Sequence, residues 1–158
     1  MKTLIALAGA GLLAACATAP SPTHSMDAAS QAVVESLYSA FGAGDMDTVT
    51  RVLADDVTWL EAPNGPYAAP TAYRGRDAVF ANVFGAIAAD FDDFAATPSR
   101  FHADDGTVVA EGIYTGRGKA TGLPLAAPFA HVFEVEGGRI VAFRQYTDTV
   151  GWRKSHGS

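Results

Sequence analysis

From Asp27 to Ala43 the apolar residues fall at Ala29, Val33, Leu37, Ala40 and Phe41. That spacing predicts an amphipathic helix, with Asp27 or Ser30 as its cap and Gly44 as its stop. Asp47 to Ala54 repeats the pattern more briefly, with Val49, Val52 and Leu53 inward. Val57 to Leu60 reads as a strand, and Ala62 to Ala72, with its three prolines and a glycine, as a loop. Arg76 to Phe91 predicts a third helix, striped by Val79, Phe80, Val83, Phe84 and Ile87. Beyond it the period changes to two, with strands near 93–102, 107–117, 127–136 and 139–148. Turn-forming residues separate them at 103–106, 118–124 and Glu136-Gly137-Gly138, the last a tight hairpin signal. Three helices followed by an antiparallel meander is an α+β layout.

The first residues follow another logic. Lys2 precedes an uncharged, Leu- and Ala-rich run from Thr3 to Ala15. A bilayer span needs about 20 such residues, so this run has the length of a signal-peptide core instead. It ends in Leu13-Ala14-Ala15-Cys16, which resembles a lipobox. Cys16 is the only cysteine, so no disulfide can form within one chain, and acylation accounts for a lone thiol in an oxidising compartment. The alternative is an ordinary secretory signal with an incidental cysteine. The expected organisation is a signal peptide over 1–15, lipidated Cys16 and a Pro- and Ser-bearing tether over 16–26, one domain over 27–152, and a frayed tail over 153–158. The protein is expected to be exported and lipid-anchored in the cell envelope. Ala17 after the cysteine resembles the outer-membrane form in a Gram-negative cell.

A formal charge of −6 and a pI near 5.0 leave no basic face for nucleic acid. A small, largely apolar molecule is the expected partner, besides the membrane reached through the lipid. His24, His102 and His156 are scattered without metal-ligand spacing, and no phosphate-binding glycine loop or nucleotide fingerprint occurs. No metal or cofactor is therefore expected.

Four segments in order resemble the SnoaL-like and ketosteroid-isomerase-like branch of the nuclear-transport-factor-2-like superfamily. They are Phe41-Gly42-Ala43-Gly44-Asp45-Met46-Asp47, Leu53-Ala54-Asp55-Asp56-Val57-Thr58-Trp59, Tyr73-Arg74-Gly75-Arg76-Asp77-Ala78-Val79, and the stretch from His131 to Val141. The resemblance covers about Ala32 to Thr149. It implies a cystatin-like roll, in which a curved, cone-shaped antiparallel sheet packs on three N-terminal helices with a pocket at the open end. Members of this group isomerise, cyclise, hydrate or open epoxides, or only bind, so fold alone does not choose.

The resemblance places a catalytic base at Glu61; the bland reading is a carboxylate at a strand end. In ketosteroid isomerases an aspartate base faces a tyrosine and a protonated aspartate. Those donor positions fall at Leu37, with Tyr38 about 100° further round the helix, and near His131. Alternation with Phe129 and Phe133 points His131 to the apolar side, as a proton shuttle or as a bonded core histidine. Asp148, four residues after Arg144, resembles the base of SnoaL-type cyclases or part of an epoxide-opening set, and reads otherwise as a structural Arg144–Asp148 pair. Trp59, Phe80, Phe84, Phe129 and Phe133 are expected as pocket walls, with Tyr67, Tyr73 and Tyr146 at the mouth; the alternative for such aromatics, Trp59 above all, is plain core. The expected activity is acid/base catalysis of isomerase, cyclase or hydratase type on a small apolar carbonyl or epoxide compound. The alternative is a non-catalytic ligand-binding or structural lipoprotein. A third alternative is a structural partner of an envelope complex that forms a homodimer through the sheet face.

Overall fold

The computed structural model describes residues 22–158. The expected signal peptide over 1–15, Cys16 and the expected tether up to residue 21 lie outside them. Helix α1 spans Pro22–Ala43, five residues longer at its start than the expected domain boundary, so the end of the expected tether is helical. Val34, Leu37 and Ala40 bury one face of it. Gly44, at φ +70°, ends the helix in the left-handed conformation that glycine adopts without a Cβ clash. Asp45 then caps α2 (Met46–Val52) by accepting from the Thr48 amide at 3.0 Å.

Strand β1 (Leu53–Leu60) follows α2 directly. A two-residue strand β2 (Tyr73–Arg74) leads through Gly75 into one continuous helix. It comprises α3 (Arg76–Val79), a π-helical turn (Phe80–Phe84) and α4 (Gly85–Asp90). Strands β3 (Phe91–Asp104), β4 (Thr107–Gly118), β5 (Pro124–Glu136) and β6 (Arg139–Thr147) form the antiparallel meander. The sheet order is β2-β1-β6-β5-β4-β3, and the sheet is unclosed. Register breaks near Asp92–Ala95 and Pro98–Arg100 bend edge strand β3 and curve the sheet over the helices. Pro98 is tolerated there because β3 has a free edge.

The α+β class and the curved sheet agree with expectation, with two corrections. The sheet is not wholly antiparallel: β1 runs parallel to β6, pairing Trp59 with Phe143. Hairpin turns fix the direction only of strands they join, and no hairpin joins β1 to β6. Nor is the C-terminus frayed. Thr149–His156 is a helix, α5, with Trp152 2% exposed and Ser155 3% exposed.

Candidate functional site

Alternation along β1 carries past its end, so that Val57, Trp59 and Glu61 all turn inward. Strand β5 alternates over its whole length and brings Phe129, His131 and Phe133 to the same inner face. Gln145 of β6 lies directly across from His131, and Tyr114 rises from β4. From the helical side, α1 contributes Leu37, Tyr38 and Phe41, and the π turn with α4 contributes Val83, Phe84 and Ile87. A π turn inserts one residue and re-aims a helix face, and such turns recur at functional sites.

Apart from Val57 and Phe129, these groups enclose a cavity of about 50 Å³. It holds a few waters or a compact ligand, a water needing roughly 10–15 Å³ on that measure. Its walls are aromatic: Trp59 stacks on Phe143 at 3.7 Å and meets Phe84 edge-on. Outside it lies a groove of about 310 Å³ lined by Glu35, Ser39, Thr97, Pro98 and Phe101. Tyr38 and Ala96 belong to both spaces and form the threshold between them.

Glu61 is 6% exposed and accepts a hydrogen bond from Trp59 Nε1 at 2.6 Å. No described lysine, arginine or histidine forms an ion pair with it. Burial pushes its pKa up to about 7, although the bonds from Trp59 and Gln145 pull the other way. The carboxyl is therefore divided between its two forms near neutral pH, the poise of a proton acceptor that must also return the proton. His131 is 4% exposed, and burial lowers its pKa to about 3, so the imidazole is neutral. Tyr38 hydroxyl lies 2.6 Å from its Nδ1, and Tyr114 hydroxyl bonds its Nε2. Burial raises both phenols above their ordinary range, so each keeps its proton. Among the described residues no cluster of His, Cys, Asp or Glu has the make-up of a metal site.

Of the residues expected at the site, Glu61, His131, Trp59, Phe84 and Phe133 line the cavity. Phe129 stands behind His131, stacked on its ring at 4.1 Å. Phe80 is one layer back, edge-on to Phe84. Tyr67 is buried elsewhere, donating to Asp90 and packed on Trp152, and Tyr73 donates to the Tyr67 carbonyl. Arg144, Tyr146 and Asp148 are on the other side of the sheet, all exposed. Asp148 caps α5, accepting from the Val150 and Gly151 amides. The cause is a register irregularity where β6 meets β5. Ile140 is inward before it, and Phe143 and Gln145 are inward after it. An unbroken strand in phase with Ile140 would have turned Arg144 and Tyr146 inward.

Tyr38, Tyr114 and Gln145 were not expected at the site. Tyr114 shares the phase of Val108 and Ala110, so its inward position was readable from period two. Gln145 was not, because its phase depends on the irregularity. Tyr38 reaches His131 because both it and Leu37 face the cavity.

The SnoaL-like domain model matches residues 34–143. Among solved structures, an NTF2-like protein of Burkholderia thailandensis is 29% identical, with a TM-score of 0.75 over 80% of this chain and 95% of that one. IdmH of Streptomyces antibioticus, a candidate polyketide cyclase, is 21% identical with a TM-score of 0.69 over 82% and 99%. A ketosteroid-isomerase-like protein of Catenulispora acidiphila, solved with trimethylamine, is 18% identical with a TM-score of 0.67 over 79% and 92%. No curated protein matches the chain.

Proposed function

The chain belongs to the SnoaL-like domain family, and from that premise we propose that it catalyses proton transfer on a small, largely apolar carbonyl compound, with Glu61 as general base. The observation that carries this reading is one carboxylate, poised near neutrality, inside an aromatic cavity it shares with a tyrosine–histidine–tyrosine cluster. The Glu61 carboxylate takes a proton from the carbon beside the carbonyl. The C–H electron pair moves onto the carbonyl oxygen, where the hydroxyl cluster stabilises the charge. Returning the proton at another carbon gives isomerisation; attack of the enolate on a second carbonyl gives ring closure. An epoxide-opening variant needs Asp148 and Arg144 beside the base, and their outward position favours the carbonyl reading.

The test is hydrogen–deuterium exchange next to the carbonyl of small ketones in D₂O, followed by NMR. The protein is expected to accelerate exchange for at least one compact cyclic ketone. Glu61→Gln is expected to remove most of that acceleration, since general-base catalysis is worth typically 10²–10⁴-fold. Ketones that bind without any exchange would overturn it.

A binding module for small alkylammonium ions is the second reading. A lone carboxylate ringed by aromatic faces favours it, because cations are attracted to ring faces. Trimethylamine that raises the melting temperature, with Glu61→Gln abolishing the effect and no ketone exchanged, would decide for this reading. Lipid anchoring at Cys16 is a proposal of its own, supported by Leu13-Ala14-Ala15-Cys16. Cys16→Ser is expected to abolish labelling with a radioactive fatty acid; an unmodified residue 16 in the exported protein would overturn it.

A further inference from the structure

The polar groups around the cavity form one chain whose two ends differ in kind. At one end is the main-chain N–H of Ala62, 3.2 Å from Gln145 Oε1. An amide N–H only donates, so it settles which way the Gln145 amide faces. Gln145 Nε2 then donates to the Tyr114 hydroxyl oxygen at 2.9 Å. Tyr114 is 4% exposed, and among the described residues its own proton has one bonded acceptor, Nε2 of His131. A buried donor without an acceptor is costly, so Tyr114 donates there and Nε2 is bare. The His131 ring is neutral and carries one proton, which therefore sits on Nδ1. Nδ1 donates to the Tyr38 oxygen. The Tyr38 proton is left over, on a residue that lines both the cavity and the groove outside it.

We propose that this chain runs in one direction only, from the Ala62 amide to the Tyr38 hydroxyl, so that Tyr38 presents a free O–H to a ligand oxygen in the cavity and Gln145 is the positioning residue that sets the direction. Each bond in such a chain polarises the next, which strengthens the terminal donor. Ala62 directly follows Glu61, so one turn of backbone places both the base and the anchor of the donor chain. His131 acts through Tyr38, since both its ring nitrogens are engaged. The use of the donor rests on the reading of Glu61 as base; the direction of the chain does not.

The direction is read from the His131 tautomer, by long-range ¹H–¹⁵N correlation spectra of the purified chain with ¹⁵N-labelled histidine. His131 is assigned by its loss in His131→Asn. The expected spectrum shows a ring neutral from pH 5 to 8 with its proton on Nδ1. A proton on Nε2, or a ring that titrates in that range, would overturn the proposal. In Gln145→Leu the Tyr114 oxygen is free to accept from Nε2–H, so the Nδ1–H form is expected to lose its dominance; an unchanged tautomer in the folded variant removes Gln145 from the role. Should that variant not fold, Tyr38→Phe serves, and is expected to leave the proton on Nδ1, since Tyr114 still donates to Nε2. A switch to Nε2–H there would mean that Tyr38, and not Gln145 through Tyr114, holds the proton on Nδ1, and would overturn the positioning role of Gln145. In the ketone-exchange assay, Tyr38→Phe is expected to slow exchange on the order of 10²-fold, as for loss of one oxyanion donor. Equal exchange in wild type and Tyr38→Phe would remove the donor role. No exchange in either, with Nδ1–H intact, would sink the base reading and leave the direction standing.

Discussion

A carboxyl that folding makes harder to ionise is a burden on the native state whenever the pH is high enough to ionise it. Glu61 is such a group. Its pKa rises from 4.5 to about 7, so the native chain holds the proton more tightly than the unfolded chain does. The native state is favoured below pH 4.5. That advantage is lost as the pH rises through 7, at a cost of about 3 kcal/mol. Glutamine has nearly the same shape and no charge to bury, and it can still accept from Trp59. Glu61→Gln is therefore expected to unfold at higher urea concentration than wild type at pH 8, by about that free energy. Lower stability of the variant at pH 8 would mean that the carboxylate is held by partners the geometry does not show. A residue that weakens its own fold is of the kind retained for chemistry.

At the scale of elements, α5 shows how a short helix supports a site it does not enter. Its eight residues are mostly polar, yet Trp152 inserts among Tyr67, Phe91, Phe94 and Tyr114, the last at 4.9 Å and edge-on. Tyr114 is thus braced from behind by α5. Trp152→Ala is expected to destabilise the fold by about 3–5 kcal/mol, as large-to-small changes in cores do, and to broaden the Tyr114 ring signals in NMR spectra. Asp148→Ala is expected to cost about 1 kcal/mol through loss of the cap, with ketone exchange unchanged; a lost activity would return Asp148 to the site. Where an element repeats its period over several turns, its type could be read from the chain alone. The α1 stripe, the Val79–Ile87 stripe and the unbroken alternation of β5, which turned His131 inward, are of this kind. What escaped reading was local and non-periodic. The irregularity in β6 exchanged Asp148 and Arg144 for Gln145. The parallel β1–β6 pair is set by the order of strands across the sheet and by no turn. In α5 a single tryptophan anchors an otherwise polar segment, too little to register as a stripe.

For the whole molecule, the two buried titrating groups of the cavity act against one another. Burial lowers the His131 pKa from 6.5 to about 3, so the unfolded chain binds its proton more readily than the native chain does. Stability from this source is complete above pH 6.5 and is lost as the pH falls toward 3, by about 5 kcal/mol in all. Glu61 has the opposite slope between pH 4.5 and 7. Over the shared interval, from 4.5 to 6.5, the native state takes up one proton at Glu61 for each that the unfolded state takes up at the histidine, and the two slopes cancel. Urea midpoints of the wild-type chain are accordingly expected to be nearly level between pH 4.5 and 6.5, falling more steeply on the acid side than on the alkaline side. In Glu61→Gln the compensation is gone and only the histidine slope remains. Its stability is expected to climb by about 2 kcal/mol across the same two pH units, where wild type stays flat. Parallel curves for the two proteins would show that Glu61 and His131 are not the pair that sets the pH response, and that the cavity is wetter than its geometry implies.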